Sequence, residues 1–150
     1  MKRFQLRSKE MAEELKEYSY TINKKDNLEK IEDKVIFLFI NKQPCFFYYQ
    51  GKPVPTLKLL QEKKLLKTVT IDMGAVKFII NGADVMRPGI VEVEAGIQKN
   101  EYVAIIDVNN KKPLAVGRAL FSGDEIRSMS SGKVIQNIHF VGDEIWKFQL

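Results

Sequence analysis

The chain has 150 residues, with 24 Lys+Arg against 19 Asp+Glu, one Cys, one His, a net charge of +5, a pI near 9.2 and 45% hydrophobic residues. That length fits one ordinary domain or two small ones, and the apolar fraction can fill a core, which excludes wholesale disorder. A single Cys excludes a disulfide framework, and one Cys with one His cannot form a four-ligand Cys/His zinc site.

The opening Met1–Arg7 is charged and has no apolar segment behind it, so no export signal is expected. The longest apolar run, Val35–Ile40, has six residues, against the roughly 20 that a membrane span needs. The expected location is the cytoplasm, with no membrane partner. The charge is uneven. Residues 1–67 carry 15 Lys+Arg and 9 Asp+Glu, a balance of +6, and residues 68–150 carry 9 and 10, a balance of −1. Eight of the nine glycines follow Lys67. These shifts predict two domains, 1–67 and 68–150, and the lack of a Ser/Gly/Pro-rich linker predicts that they pack together.

In the first half, Ser8 is the expected N-cap of a helix over Ser8–Ser19, with Met11, Leu15 and Tyr18 recurring on one face. Asp26–Asp33 is polar and is expected to hold a turn and a short element. Val35–Asn41 and Pro44–Gln50 read as two strands joined by Lys42-Gln43, their near-continuous apolar runs suiting strands covered on both faces. The run Phe46-Phe47-Tyr48-Tyr49 reads as core, with a stacking platform for bases as the other use. A Cys–His nucleophilic pair would need the sole copies, Cys45 and His139; Cys45, beside that run, reads as a buried, inert thiol. Gln50-Gly51-Lys52 is a turn, and Pro53–Thr56 leads into a helix from Leu57 to about Lys64. Lys58, Lys63, Lys64 and Lys67 gather towards its outer face and C-terminal end. They either complement the helix dipole or form a docking patch for nucleic acid.

The second half predicts strands at Thr68–Asp72, Ile90–Glu94, Tyr102–Val108, Leu114–Phe121, Val134–Phe140 and Glu144–Phe148. Two short helices are expected, from about Gly74 to Asn81 with Asp72 as cap and Gly82 as stop, and from about Gly123 to Met129. Six strands and two short helices suggest a small closed or nearly closed barrel. Within Asp72–Ile90, a Gly-Ala pair opens the first helix, whose free N–H groups suit an anion, and a second Gly-Ala pair closes it. Arg87-Pro88-Gly89 then makes a stiff loop whose Arg offers a planar fork for phosphate. Caps and turns with a solvated Arg account for the same spacing.

Thr70-Ile71-Asp72-x-Gly74-Ala75-x-x-Phe78-x-x-x-Gly82-Ala83-x-Val85-Met86-x-Pro88-Gly89-Ile90 resembles the opening of a PUA domain, the RNA-binding pseudo-barrel of pseudouridine synthases and archaeosine transglycosylases. The likeness continues through Ala115-Val116-Gly117, Gly132-Lys133 and His139-x-x-Gly142-Asp143-x-x-Trp146. Pro55-Thr56-Leu57-Lys58-Leu59-Leu60 resembles the end of the α/β pre-PUA domain of the malignant-T-cell-amplified-sequence proteins and the N-terminal half of ligatin, here of archaeal type. The resemblance implies an α+β chain, an N-terminal α/β pre-PUA domain followed by a PUA β pseudo-barrel with two short helices. It further implies a non-catalytic RNA-binding protein of translation, acting in initiation or ribosome recycling. Its partners would be the tRNA acceptor end, rRNA and the small ribosomal subunit, and a protein partner is possible through the N-terminal domain. No cofactor, metal or catalytic residue is expected. Carried over by position, the RNA-binding residues are Gly74, Ala75, Lys77, Phe78, Gly82, Met86, Arg87, Pro88 and Gly89, with His139, Trp146 and Lys147 on the final hairpin. Lys133 in its turn either meets phosphate or stands in solvent, Trp146 is either core or platform, and His139 reads more readily as a structural residue than as a catalyst. Two other roles fit the residues: an RNA-targeting subunit of a modification enzyme, and a protein–protein adaptor presenting Phe46–Tyr49.

Overall fold

A computed structural model describes residues 1–150, which form two compact units, Met1–Leu65 and Leu66–Leu150. Divided there, the first unit holds 14 Lys+Arg and 9 Asp+Glu, and the second 10 of each, so the surplus cation lies entirely in the first.

The first unit is a five-stranded antiparallel sheet in sequential order, β1 (Lys2–Gln5), β2 (Leu28–Glu32), β3 (Ile36–Ile40), β4 (Gln43–Tyr49) and β5 (Lys52–Pro55). Two-residue turns at Asn41-Lys42 and Gln50-Gly51 join the last three strands, and all four residues take positive φ, the geometry that matches strand twist. The tight link is therefore Asn41-Lys42, and Gln43 already belongs to β4. Helix α1 (Ser8–Glu14) is shorter than its periodicity suggests. It ends at Leu15, a 3₁₀ turn covers Lys16–Tyr18, and Ser19 at φ 54° breaks the chain away. Ser8 is the first helical residue and not the cap, since Arg7 holds that place without a side-chain bond.

Met11, Leu15 and Tyr18 are buried as expected, with Tyr18 against Phe46 and its hydroxyl donating to the Pro53 carbonyl. Phe46 and Phe47 are fully buried, which is the core reading of the aromatic run, and an adaptor face built on it has no exposed Phe to offer. Helix α2 (Leu57–Leu60) is one turn long, not two, with Thr56 Oγ1 accepting from the Leu59 amide and donating to the Pro44 carbonyl. The preceding β5 carries Pro53 and Pro55 opposite Tyr48 and Phe46, and the Thr56 amide continues the ladder to the Cys45 carbonyl. Cys45 is buried, and burial pushes its thiol up to about 11, an inert state.

The second unit has a six-stranded mixed sheet. Its strands are β6 (Thr68–Ile71), β7 (Val85–Met86), β8 (Ile90–Val93), β9 (Tyr102–Asp107), β10 (Pro113–Ala119) and β11 (Lys133–Phe140), in the order β7-β11-β10-β9-β6-β8. Only β6 and β9 run parallel. Val69, Ile71, Val103, Ile105, Ala115, Val134 and Ile135 form the core with Ile126 from α4 (Gly123–Ser128) and Ile79 from α3 (Met73–Ile79). The β10–β11 register slips between Val116 and Gly117, a bulge at which Gly117 lies directly over Ile135. Ser122 and Glu125 cap α4 reciprocally, so α4 runs where a short helix was expected.

The expected strand Glu144–Phe148 is instead a helix, α5 (Glu144–Lys147). Its four residues fit either period, and the deciding contact is Asp143, whose carboxylate accepts the Trp146 amide and starts the turn. No helix is long and apolar enough to cross a membrane.

Candidate functional site

Helix α3 and the loop after it build the site. β6 ends at Ile71, and the amide of Asp72, the N-cap of α3, donates to the Gly89 carbonyl at 2.9 Å, so the loop at Gly89 is tied to the start of the helix. Gly89 packs closely there, and a methyl group on it would stand 3.2 Å from the Ala75 methyl, close enough to push the loop and helix slightly apart. The helix closes at Gly82, in the left-handed region at φ 94°, with its amide on the Ile79 carbonyl and the Ala83 amide on the Phe78 carbonyl. From β11, Asn137 reaches back to donate its side-chain amide to the Ile79 and Ala83 carbonyls, both at 3.0 Å. Its own backbone amide goes to the Asp84 carboxylate.

Between these two tethered segments lies an open groove of about 410 Å³, lined by Gly74, Ala75, Phe78, Asp84, Met86 and Gly89 among others. The groove is apolar and unplugged. Phe78 (58% exposed) and Met86 (51%), both lining it, leave large hydrophobic side chains in solvent. Lys77 stands on the exposed side of α3 with its ammonium 5.2 Å from the Phe78 ring centre. Lys133 reaches Asp84 at 3.4 Å. The rim is therefore two lysines and one carboxylate, over a floor of backbone and methyl groups.

The anion site expected at the start of α3 is not formed. The helix has only seven residues, and the Asp72 carboxylate already accepts the Ala75 amide at 2.9 Å, placing a negative charge where an anion would sit. The cationic groups nearest the groove are therefore Lys77 and Lys133. Arg87 belongs to the same loop but turns away from the groove. Its Nε donates to the Ile126 carbonyl at 2.7 Å, its Nη1 to the Ile90 carbonyl at 3.4 Å, and its backbone amide to the Gly132 carbonyl.

His139, Trp146 and Lys147 do not share a hairpin. His139 is fully buried, with Nδ1 2.9 Å from the Asp143 carboxylate, so its ring reaches no ligand. Burial pushes the Asp143 carboxyl up, but bonds from the His139 ring and the Trp146 and Phe140 amides outweigh that and hold it below the usual carboxylate range. Trp146 is half-buried and Lys147 exposed, both on α5. Of the lysine patch, Lys63 lies 4.9 Å from the Tyr20 ring centre, while Lys67 belongs to the second unit, bound to Glu101 and the Gly96 carbonyl. Sequence reasoning missed Asn137 and Asp84. An Asn inside an apolar strand is the signal that marks the first, because strands disfavour it without a specific bond.

A mixed six-stranded sheet whose first helix and glycine loop open into such a groove defines a PUA-type domain, and residues 67–141 match the PUA domain family. Residues 2–63 match a second family, described as a domain of unknown function (DUF1947). The chain belongs to the PUA-domain proteins that carry this N-terminal domain. It is 45% identical to uncharacterized protein MJ1432 of Methanocaldococcus jannaschii over 130 residues, 85% of this chain and 80% of that protein. Translation machinery-associated protein 20 of Saccharomyces cerevisiae is 33% identical, over 86% of this chain and 76% of its own length. Malignant T-cell-amplified sequence 1 of Danio rerio is 31% identical, over 82% and 72%. The crystal structure of hypothetical protein PH0734.1 from Pyrococcus horikoshii superposes with a TM-score of 0.86 at 30% identity, covering 97% of this chain and 98% of that one. An H/ACA RNP bound to a substrate RNA contains a chain that superposes with a TM-score of 0.53 at 26% identity, over 64% of this chain and 29% of that one.

Proposed function

We propose that this protein is a non-catalytic RNA-binding protein of the translation machinery, acting in initiation or recycling. It holds the acceptor end of tRNA in the α3 groove and engages rRNA of the small ribosomal subunit through the basic first unit. The observation that carries the reading is the unplugged groove, in which Gly74 and Gly89 leave backbone bare beside an exposed Phe78 and Lys77. Bare backbone admits a ribose–phosphate strand closely, an exposed ring stacks on an unpaired base of any kind, and an ammonium at its edge meets phosphate. Relatives named for translation support the setting, and an RNA-bound complex containing a similar fold supports the ligand class. Two weak sites, one per unit, reinforce each other by effective concentration.

The direct test is a salt titration of binding to deacylated tRNA. Lys77→Gln is expected to weaken binding several-fold and to lower the slope of log K against log salt by about 0.7, the value for one contact to a single strand. Unchanged affinity and slope would remove Lys77, and with it the groove, from the interface. Reversing Lys58, Lys63 and Lys64 to Glu is expected to lower cosedimentation with small ribosomal subunits about tenfold or more, since three phosphate contacts are replaced by repulsion. Undiminished cosedimentation would reject a docking role for those lysines, and copurification with an RNA-modification enzyme in place of subunits would favour a targeting role.

A further inference from the structure

We infer that Arg87 is a positioning residue, the strut that sets the loop wall of the groove, and not a contact to phosphate; the inference rests on the groove being the RNA site. A guanidinium presents its N–H groups in a rigid planar fork, so two bonds from it fix the plane and the stem together. Here those two bonds go to main-chain carbonyls on separate elements, Ile126 in α4 and Ile90 at the start of β8. The Ile126 carbonyl lies in the last turn of α4, where a cation is favoured; it already accepts the Met129 amide, and the Arg87 guanidinium takes its second acceptor position. With the Arg87 amide on Gly132, the loop is tied to α4, β8 and the turn before β11 at once.

These ties bear on the groove through Pro88 and Gly89. Pro88 has a fixed φ, so orienting Arg87 orients the next residue, and Gly89 is the point where the loop rests on Ala75 at the groove floor. Met86, one residue before the strut, supplies the exposed lip on the same side. A lysine at this position keeps the charge, which suffices for a point contact to phosphate, but its single ammonium cannot reproduce the fork spanning two carbonyls. Lysine substitution therefore separates the two roles.

The experiment compares wild type, Arg87→Lys, Arg87→Gln and Lys77→Gln as full chains. It reads methyl NMR resonances of Ala75 and Met86 and binding to deacylated tRNA across a salt series. Positioning predicts that Arg87→Lys shifts both methyls and weakens binding about tenfold, the scale of one lost charge-assisted bond. It also predicts that Arg87→Gln keeps the wild-type salt slope, while Lys77→Gln leaves the Ala75 and Met86 methyls in place and lowers the slope. Arg87→Lys with wild-type methyls or wild-type affinity overturns the inference, as does a slope lowered by about 0.7 in Arg87→Gln. If Arg87→Gln does not fold, Arg87→Lys decides by itself. If wild type ignores tRNA, the RNA reading falls, and the Ala75 and Met86 methyls of Arg87→Lys alone decide whether Arg87 shapes the groove.

Discussion

Alanine at position 117 is expected to destabilise the second unit by about 3 kcal/mol, the cost of overpacking a site that cannot yield. A Cβ there would stand 2.4 Å from the Ile135 Cγ2 methyl and 2.9 Å from the Gln136 carbonyl oxygen. Neither neighbour is the loose end of a long side chain. Ile135 is fully buried in the core, and Gln136 O is part of the adjoining strand, so relief requires β10 and β11 to separate at their bulge. Trp146 is the only tryptophan and lies in this unit, so urea titration followed by its fluorescence reads the effect directly. A midpoint equal to that of wild type would show that the strands part at no cost, contrary to the packing described.

The second large effect is expected at Asp143. Its carboxylate accepts the His139 ring N–H and the Phe140 and Trp146 amides, so alanine leaves a fully buried imidazole and the start of α5 without their acceptor. Lost capping and an orphaned buried donor together amount to about 2–4 kcal/mol. The same geometry sets a pH dependence. Because the folded carboxyl titrates below its unfolded value, the stabilisation is fully present above the ordinary carboxylate range and drains away as pH falls through that range to the folded pKa. Asp107 and Glu125 are also held low and titrate in that window, so the informative quantity is the difference between wild type and Asp143→Ala. That difference should shrink steadily on acidification. A difference independent of pH would show that the carboxylate is not the stabilising form.

Five of the six strands of the second unit are legible because β-branched residues and turn signals recur at short intervals, while the two-residue β7 is too short to show a pattern; Asp72 announces α3 through its capping chemistry. Strand β1 was not legible. Lys2, Arg3 and Gln5 flank a single apolar residue, Phe4, and an edge strand exposed along its length has no burial pattern to display. Strand β5 hid behind its prolines, which argue against a strand unless it lies at an edge. Helix α5 was misread because four residues cannot separate a period of 2 from one of 3.6. At the site, the segment carrying Gly74 and Gly89, which line the groove, is picked out by the family resemblance, since its glycine spacing fits caps and turns equally well. The direction of Arg87 was not legible, because its acceptors are main-chain carbonyls, one of them 39 positions away, and such groups leave no trace in residue type. His139 is similar, since its burial depends on a partner that caps a helix mistaken for a strand.

The two prolines of β5 also decide how the first sheet ends. Thr56 points its amide inward to Cys45, and by the alternation of an antiparallel ladder Val54 and Lys52 do the same. Pro53 and Pro55 therefore occupy the outward positions, the two places along this rim where an amide hydrogen would otherwise point away from the sheet. A foreign strand arriving there finds no donor at either position and the Pro53 carbonyl already taken by the Tyr18 hydroxyl, and cannot zip on. Growth of the sheet by copying itself from this side is blocked chemically, which lets a chain so rich in aromatic β-structure be concentrated without that side seeding fibres.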